Sequence, residues 1–278
     1  MRQLLVALIA AGSAIAFTQF ASAADLPRKA PAYTPPPPPV YSWTGFYIGG
    51  NVGGGWGDRD VTFTANDPGA ALLLPAIGLA SQSFDTSGVI GGLQVGYNYQ
   101  FNRNWLVGFE TDFDWSGMKG SSATQLAVGA LSTSVDEHIK WFGTVRARLG
   151  YLPTDNLLAY VTGGFAYGKV DHTGSLFFPA GTLIVNTPPF TALCTGPATC
   201  FTGSSSDTAI GWTLGGGLEY AFWQKWTVKA EYLYVSLASK SVTETALLFA
   251  PGTTPVSYNA NFSRTNFNVA RVGVNYRF

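Results

Sequence analysis

The chain has 278 residues, with 33 glycines, 14% aromatic residues, 12% charged residues and a formal net charge of +0 at pH 7. This length is enough for one large domain or two small ones. The absence of net positive charge gives no indication of a nucleic-acid partner. Low charge combined with many aromatic residues fits a protein whose surface is largely covered by lipid.

The first 23 residues have the features of a secretory signal peptide. Arg2 supplies a positive charge, residues 4–17 form a short apolar run, and residues 21–23 are a small-x-small cleavage site. The alternative is a membrane-anchor helix, but that needs roughly 20 apolar residues and this run is shorter. We therefore expect an exported protein whose mature form begins at Ala24.

Residues 24–42 are predicted to form a proline-rich periplasmic linker. Five consecutive prolines at 35–39 favour an extended polyproline II segment, which rises about 3.1 Å per residue. Such a segment can also be a ligand for a proline-binding domain. In an exported chain, a spacer is the expected use.

A period of two starts at Trp43 and predicts the first strand of a domain that covers residues 43–278. Phe46, Ile48 and Val52 fall on one face of this strand, and Asn51 falls on the other with several glycines. Inward-facing glycines allow a narrow barrel to close around larger side chains contributed by other strands.

Seven further segments alternate in the same way, and their connections are alternately long and short. The long polar stretches lie near 57–87, 119–137, 173–206 and 237–264, and the short turns at 102–104, 153–156 and 223–225. Outer-membrane barrels have an even number of strands, long extracellular loops and short periplasmic turns. The sequence therefore predicts an all-β fold, an eight-stranded antiparallel up-and-down transmembrane β-barrel with both termini in the periplasm.

The last strand, at 266–278, carries apolar residues on one face and Arg271 and Arg277 on the other. This arrangement suits a closed barrel with lipid outside and a packed polar interior. A soluble lipocalin-like barrel would need the opposite arrangement. The ending Tyr276-Arg277-Phe278 resembles the carboxy-terminal signal by which bacterial outer-membrane barrels are recognised for assembly. We therefore expect contact with the barrel-assembly machinery through Phe278.

Charged residues with inward parity are predicted to form an interior ion network. They are chiefly Glu110, Asp112, Arg146, Arg148, Glu219, Lys229, Glu231 and Arg271, together with Asp114, Lys140 and Arg277. An eight-stranded barrel is just wide enough for side chains to fill, so these charges must pair. A structural plug of salt bridges is the expected role, and a gated polar path is the alternative. Glu219 and Lys229, which lie symmetrically about the turn at 223–225, are expected to be direct partners.

Cys194 and Cys200 are the only cysteines in the chain. Export implies an oxidising compartment, so they are expected to form a disulfide that closes a small loop. Cysteine pairs can also bind metal, but no histidine lies nearby in the sequence.

His138 and His172 are the only histidines, and both have the inward parity of their strands. They are equidistant from position 155 in a short turn, so they are expected to lie opposite each other with Cβ atoms about 5 Å apart. With Asp136 and Asp171 they form a candidate zinc site at the extracellular mouth. Two histidines without a fixed third ligand make a weak site, so rim histidines bonded to water and backbone are the expected interpretation. No metal or other cofactor is therefore assigned firmly.

Six stretches carry a resemblance to a known family. They are WTGFYIGGNVGGGWG at 43–57, GGLQVGYNYQF at 91–101, YVTGGFAYG at 160–168, GGGLEYAF at 215–222, AEYLYV at 230–235 and ARVGVNYRF at 270–278. With these stretches the chain resembles the OmpA-like small outer-membrane barrels of Gram-negative bacteria, and among them the alphaproteobacterial porin-family surface antigens. The resemblance implies an integral protein of the cell outer membrane, in contact with outer-membrane lipid and lipopolysaccharide.

The resemblance further implies a role in envelope integrity, as a surface antigen or in modest permeability. We expect a structural and surface role without enzymatic activity. A diffusion porin for small solutes and a receptor for a surface ligand are the alternatives. A hydrolase is disfavoured because the chain has only two histidines and no nucleophile motif.

Overall fold

The computed structural model describes residues 41–126 and 131–278. The predicted signal peptide, and the predicted linker apart from its last two residues, lie outside these ranges. Within them, no helix is both long enough and apolar enough to cross a membrane.

Strands account for nearly all of the regular structure in the described residues. In chain order the elements are β1 (Gly45–Ala65), α1 (Pro68–Ile77), β2 (Ser81–Gln100), β3 (Trp105–Gln125), β4 (Ser132–Thr154), β5 (Leu157–Phe178), β6 (Thr182–Thr187), β7 (Phe190–Thr195), β8 (Ala198–Ala221), β9 (Trp226–Leu237), β10 (Lys240–Ala246), β11 (Thr254–Pro255), β12 (Ser257–Phe262) and β13 (Thr265–Arg277).

Eight of these strands form a closed antiparallel ring in the order β1, β2, β3, β4, β5, β8, β9, β13. The ring closes at β1, where Ile48 pairs with Val95 of β2 on one side and with Tyr276 of β13 on the other. The predicted eight-stranded transmembrane barrel is confirmed.

The strands extend well beyond the predicted loop boundaries. β3 has 21 residues, which at about 3.3 Å per residue and a tilt of roughly 40° reach about 50 Å along the barrel axis. The apolar band of such a barrel is about 25 Å tall. Roughly half of the wall therefore stands outside the membrane, and we call this part the outer half.

Two ring strands are replaced within the outer half. β9 ends at Leu237 and β13 begins at Thr265, while β10 and β12 continue the wall above them. β10 pairs with β8 and with β12, and β12 pairs with β1. The wall is therefore closed in the outer half as well.

The predicted loop at 57–87 contains α1. The Asp67 carboxylate accepts a hydrogen bond from the backbone N–H of Ala70 at 2.9 Å, which caps the start of the helix. Gly78 ends the helix with φ 71°, a left-handed conformation that favours glycine. Leu73 and Ile77 pack into the apolar core of the outer half, which also contains residues of β1, β4, β5, β8 and β12.

The face turned to lipid is apolar along the membrane-spanning part of each ring strand. The side chains of Val52, Leu93, Val161, Leu214 and Val272 are each more than half exposed, as the outward assignment predicted. Aromatic residues border this band. On the periplasmic side, Trp105 packs on Tyr151 with ring centroids 5.2 Å apart. Towards the outer half, Trp115, Trp141 and Trp212 mark the other border.

The alternation of β4 reverses at Lys140. The register between β4 and β5 shifts by one between Ile139 and Trp141, so Lys140 is the extra residue of a β-bulge. The sequence pattern predicts Lys140 inward. This assignment is wrong, because Lys140 is exposed, while its neighbour Ile139 is fully buried in the lumen. An inserted residue moves every side chain beyond it to the other face.

Candidate functional site

A cluster of buried polar side chains fills the lumen within the membrane, and every strand of the ring contributes to it. We call this cluster the interior network. Its members are Tyr47, Gln94, Glu110, Asp112, Asp114, Arg146, Arg148, Tyr160, Glu219, Lys229, Glu231, Arg271 and Asn275. They include the eight chief residues that the sequence assigned to an ion network, and also Asp114. Arg277 lies elsewhere, with its guanidinium carbon 4.2 Å from the ring centroid of Tyr41.

Arg146 lies at the centre of the interior network and contacts three carboxylates. Its Nη2 donates to Glu110 Oε1 at 2.6 Å and to Asp112 Oδ2 at 2.7 Å, and its Nη1 donates to Glu231 Oε1 at 2.9 Å. A guanidinium suits this position because its planar fork of N–H groups can serve several carboxylates at once. Arg146 therefore joins β3, β4 and β9 across the lumen.

Arg271 supplies a second guanidinium to the same carboxylates. Its Nη1 donates to Asp114 Oδ2 at 2.6 Å, its Nη2 to Asp112 Oδ2 at 2.7 Å and its Nε to Glu231 Oε2 at 2.8 Å. Asp112 and Glu231 are thus shared with Arg146. Each of these buried carboxylates has two cationic partners, which offsets the cost of removing its charge from water.

Arg148 connects the interior network to two tyrosines. Its Nη2 donates to Glu219 Oε2 at 2.8 Å, and its Nη1 donates to the Tyr47 hydroxyl at 2.6 Å. The Tyr47 hydroxyl in turn donates to Glu110 Oε2 at 2.7 Å. The guanidinium also stacks on Tyr160, 3.9 Å from the ring centroid. The Arg148 guanidinium is therefore held by hydrogen bonds along its edge and by the Tyr160 ring against its face.

Glu219 and Lys229 are cross-strand partners, as their positions about the turn predicted. They do not form the predicted ion pair, however. Lys229 Nζ donates to both carboxylate oxygens of Glu110, at 2.9 and 3.1 Å, while Glu219 accepts from Arg148. The strand pairing is as predicted, but the side chains turn to other partners because β9 and β3 face each other across the narrow ring, and a lysine is long enough to span it.

Apolar layers close the lumen on both sides of the interior network. The layer towards the outer half includes Met118, Ile139, Phe142, Leu233, Val235 and Phe267, all fully buried. The layer towards the periplasm includes Trp43, Leu106, Leu152 and Leu158. Among the described residues, the polar lining of the lumen is therefore interrupted above and below the network.

A second buried ion pair lies in the lumen of the outer half. Arg59 Nε donates to Glu137 Oε1 at 2.6 Å, and Arg59 Nη1 donates to the backbone oxygen of Asn266 at 2.5 Å. Burial raises the pKa of Glu137, and the adjacent Arg59 opposes this shift. His172 Nδ1 lies 3.5 Å from Glu137 Oε2. Burial lowers the pKa of His172 to about 4, so this histidine is neutral at pH 7.

Sequence analysis missed Arg59 because residues 57–87 were assigned to a loop. The alternation nevertheless continues there, since Asp58 and Asp60 are exposed while Arg59, Val61 and Phe63 are buried. Here the polar residues face outward and the apolar residues face the lumen, which is the reverse of the membrane-spanning part. This reversal indicates that a water-exposed barrel wall follows the lipid-facing one.

Glu244 is buried in the apolar core of the outer half. Its Oε2 accepts a hydrogen bond from the Tyr258 hydroxyl at 2.6 Å, and no cation forms an ion pair with it among the described residues. Burial raises the pKa of Glu244 to about 7. Sequence analysis missed this group as well, because it lies in the stretch at 237–264 that was assigned to a loop.

Comparison with known proteins gives a family to which this barrel can be assigned. The sequence pattern of the outer membrane protein beta-barrel domain family matches residues 6–278. The chain belongs to this family.

Relatives include the 31 kDa outer-membrane immunogenic protein of Brucella melitensis, which is 36% identical over 279 residues and covers 100% of both chains. The 22 kDa outer membrane protein of Rhizobium leguminosarum is 28% identical over 209 residues, 74% of this chain and 69% of that protein. A similar solved structure is the outer membrane protein OprG from Pseudomonas aeruginosa, with a TM-score of 0.44 and 12% identity, covering 86% of this chain and 99% of that one.

The protein is therefore an integral outer-membrane β-barrel, and its lipid-facing band lies in the outer membrane. This agrees with the resemblance drawn from the sequence. The relationship to an outer-membrane immunogenic protein also fits the predicted surface-antigen branch.

The two histidines of this outer-membrane barrel lie on opposite faces of its wall, so their predicted pairing is wrong. His138 pairs with Asp171, and His172 pairs with Glu137. The extra residue Lys140 shifts the register by one and turns His138 outward, while His172 stays in the lumen. No group of three potential metal ligands is present in the part of the chain that the structure describes. The geometry therefore gives no support to a zinc site at His138 and His172.

Cys194 and Cys200 are joined by a disulfide, with Cα atoms 5.5 Å apart. The bond connects β7 to the start of β8. Both sulfur-bearing side chains are buried in the apolar core of the outer half. The disulfide thereby ties the small sheet of β6, β7 and β11 to the barrel wall.

Proposed function

We propose that the protein is a closed, non-conducting barrel that anchors an ordered outer half at the cell surface. The apolar layer formed around Phe142, Leu233 and Phe267 carries this proposal. An eight-stranded barrel is just wide enough for its own side chains. A diffusion path would require this layer and the interior network beneath it to open together.

The interior network also favours a structural role over a gated path. Arg146 and Arg271 each contact three carboxylates, so displacing one guanidinium leaves several buried charges poorly paired. Breaking a buried ion pair costs about 3–5 kcal/mol. A gate built from these groups would open rarely, whereas a plug built from them stabilises the wall.

Planar-bilayer conductance tests the closed state. The wild-type protein should give no steady openings, while a sixteen-stranded porin reconstituted in parallel gives its large ones. The variant Phe142→Ala/Leu233→Ala/Phe267→Ala truncates three large residues of the apolar layer and leaves the interior network in place, so it should give no steady openings either. Steady openings of the wild type would overturn the proposal in favour of a diffusion porin.

We also propose that residues 1–23 are removed on export, that 24–42 form a periplasmic linker and that 43–278 form the barrel domain. The exposed Phe278 would contact the barrel-assembly machinery, and the lipid-facing band would contact lipopolysaccharide in the outer leaflet. Amino-terminal sequencing of the mature protein tests the first boundary. A mature chain that does not begin at Ala24 would overturn it.

We propose no enzymatic role. His138 and His172 lie on opposite faces of the wall, and neither is hydrogen-bonded to a serine or cysteine within the described ranges. A nucleophile and its base need such contact in most hydrolases. A receptor role for a surface ligand is the second candidate, and it is favoured by the polar groove described next.

A further inference from the structure

A polar groove of about 590 Å³ crosses strands β2 to β5 on the outside of the barrel wall. Its outward-facing ionisable side chains are Asp85, Lys119, Asp136, His138 and Asp171. The interior network and the apolar layers lie on the other side of the wall. The groove is therefore separate from the lumen.

Strand register arranges the groove in two rows. In the lower row Lys119 pairs with His138, and His138 pairs with Asp171. In the upper row Ser121 pairs with Asp136, and Asp136 pairs with Thr173. Paired residues on one face have Cβ atoms about 5 Å apart, and the next residue on that face is about 7 Å along the strand. The two rows therefore present a compact grid of charges and hydroxyls.

Two more lysines lie between this grid and the aromatic border of the membrane. Lys169 pairs directly with Trp141, and the bulge residue Lys140 is next to Trp141 in the chain and forms an ion pair with Asp171. Lys119 and Lys140 both lie close enough to His138 to lower its pKa, although burial is the larger cause. Three cations on adjacent strands thus surround the lower part of the groove.

The lower edge of the groove lies at the headgroup region of the outer leaflet. The polar layer of a bilayer extends roughly 5–8 Å beyond the hydrocarbon on each side, and Lys140 and Lys169, which adjoin the border residue Trp141, lie within it. Lys119 is four residues beyond Trp115, which places it about 10 Å above the border for a tilted strand, just above this layer. Sugars attached to a lipid would reach the upper row.

The charge around the wall is uneven at this height. Outward charges on β1 and β2 are all acidic, namely Asp58, Asp60 and Asp85, whereas on β3 to β5 the three lysines outnumber Asp136 and Asp171. An anionic headgroup would be attracted to the β3–β5 side and repelled from the other. The groove therefore offers a defined site rather than a uniform belt.

We propose that this groove binds the phosphorylated sugar headgroup of an outer-leaflet glycolipid. Lys119, Lys140 and Lys169 bind its phosphates. Asp136 and His138, with the hydroxyls of Ser121 and Thr173, bind its sugar hydroxyls. The ligand is a lipid rather than a soluble sugar phosphate because the lysines border Trp141, against which acyl chains would pack. The inference rests on the proposed contact of the lipid-facing band with lipopolysaccharide in the outer leaflet.

Titration of the full chain in phosphatidylcholine nanodiscs with bis-phosphorylated lipid A tests the groove, with native mass spectrometry to count bound lipid. The variant Lys119→Gln/Lys140→Gln/Lys169→Gln is compared with Lys225→Gln/Lys240→Gln/Arg264→Gln, which loses the same charge at other exposed positions. A lysine near a membrane surface contributes about 1 kcal/mol to anionic lipid binding, so the first variant should bind on the order of 100-fold more weakly. The control should change by less than tenfold.

A loss below tenfold in the groove variant, or an equal loss in the control, overturns the proposal. So does equal binding of lipid A that lacks its phosphates. If a soluble glucosamine phosphate competes at the same concentration, the site serves soluble sugars and the choice of a glycolipid is wrong. Lys169→Gln alone, which breaks no ion pair among the described residues, guards against misfolding and should bind about fivefold more weakly. Conductance measures the closed lumen independently, so the two proposals fail separately.

Discussion

Replacing Arg146 with methionine should destabilise the barrel by roughly 3–5 kcal/mol. The change removes hydrogen bonds of 2.6, 2.7 and 2.9 Å to Glu110, Asp112 and Glu231. A hydrogen bond to a charged group contributes about 1.5–3 kcal/mol, so three at the lower end give about 4.5 kcal/mol. The three carboxylates keep Lys229 or Arg271 as a partner, which holds the loss within this range.

Urea-dependent folding into lipid vesicles, followed by tryptophan fluorescence and heat-modifiable gel mobility, measures this loss. Arg146→Lys keeps the positive charge but lacks the planar set of guanidinium N–H donors, so it should lose about half as much free energy of unfolding. Arg103→Met is the matched control, since Arg103 Nε lies 3.9 Å from Asp155 at an exposed turn and such pairs contribute little. Equal stability of Arg146→Met and Arg103→Met would refute the account of the interior network.

Two further predictions concern the lipid face and the outer half. Val95→Arg should cost roughly 2–4 kcal/mol, because Val95 faces lipid near the middle of the band, whereas Thr62→Arg on the outer half should cost little; assembly yields that match for the two variants would contradict the facing assignment. The contribution of Glu244 to the stability of the outer half should fall by on the order of 3 kcal/mol as pH rises from about 4.5 to about 7, because the native state holds the Glu244 proton up to a pKa of about 7 and the unfolded state releases it earlier. His172, whose pKa burial lowers to about 4, contributes in the opposite sense below about pH 6.5, so the Glu244 contribution is read as the stability difference between the wild type and Glu244→Gln. Urea unfolding at pH 5 and pH 8 should show that this difference shrinks at the higher pH, and a difference that stays constant would assign the slope to another group.

The membrane-spanning half could be predicted from sequence because each residue there faces one of two opposite environments. Val95 and Val161 had to face lipid, and Arg146 and Arg271 had to face the packed lumen. The number of ring strands followed from the alternation of long and short connections. The alternation shows which charged residues face the lumen, but it does not show which of them pair with each other. Lys229 reaches Glu110 on the opposite wall rather than its own ladder neighbour, and that choice depends on lumen width and side-chain length.

The strands of the outer half were not predicted because their polar residues face outward and their apolar residues face inward, the reverse of the membrane-spanning part. In β1 beyond the membrane, Asp58 and Asp60 face water while Val61 and Phe63 fill the lumen. Polar residues in such a stretch are equally typical of a loop. The wall there is an ordinary soluble sheet, polar outside and apolar inside. The break of the ring between β9 and β10 added to this, since a strand that ends at Leu237 gives no local signal that another continues the wall.

The bulge at Lys140 determines the chemistry on both sides of β4. It reverses parity above the membrane, which places Glu137 in the lumen and Asp136 and His138 on the outside. With the unshifted register, Glu137 would face the groove and the buried Arg59 would lose its carboxylate, at a cost typical of an isolated buried charge. One inserted residue therefore satisfies the ion pair of the outer half and assembles the grid of the groove, which ties the stability of the outer half to the surface it displays.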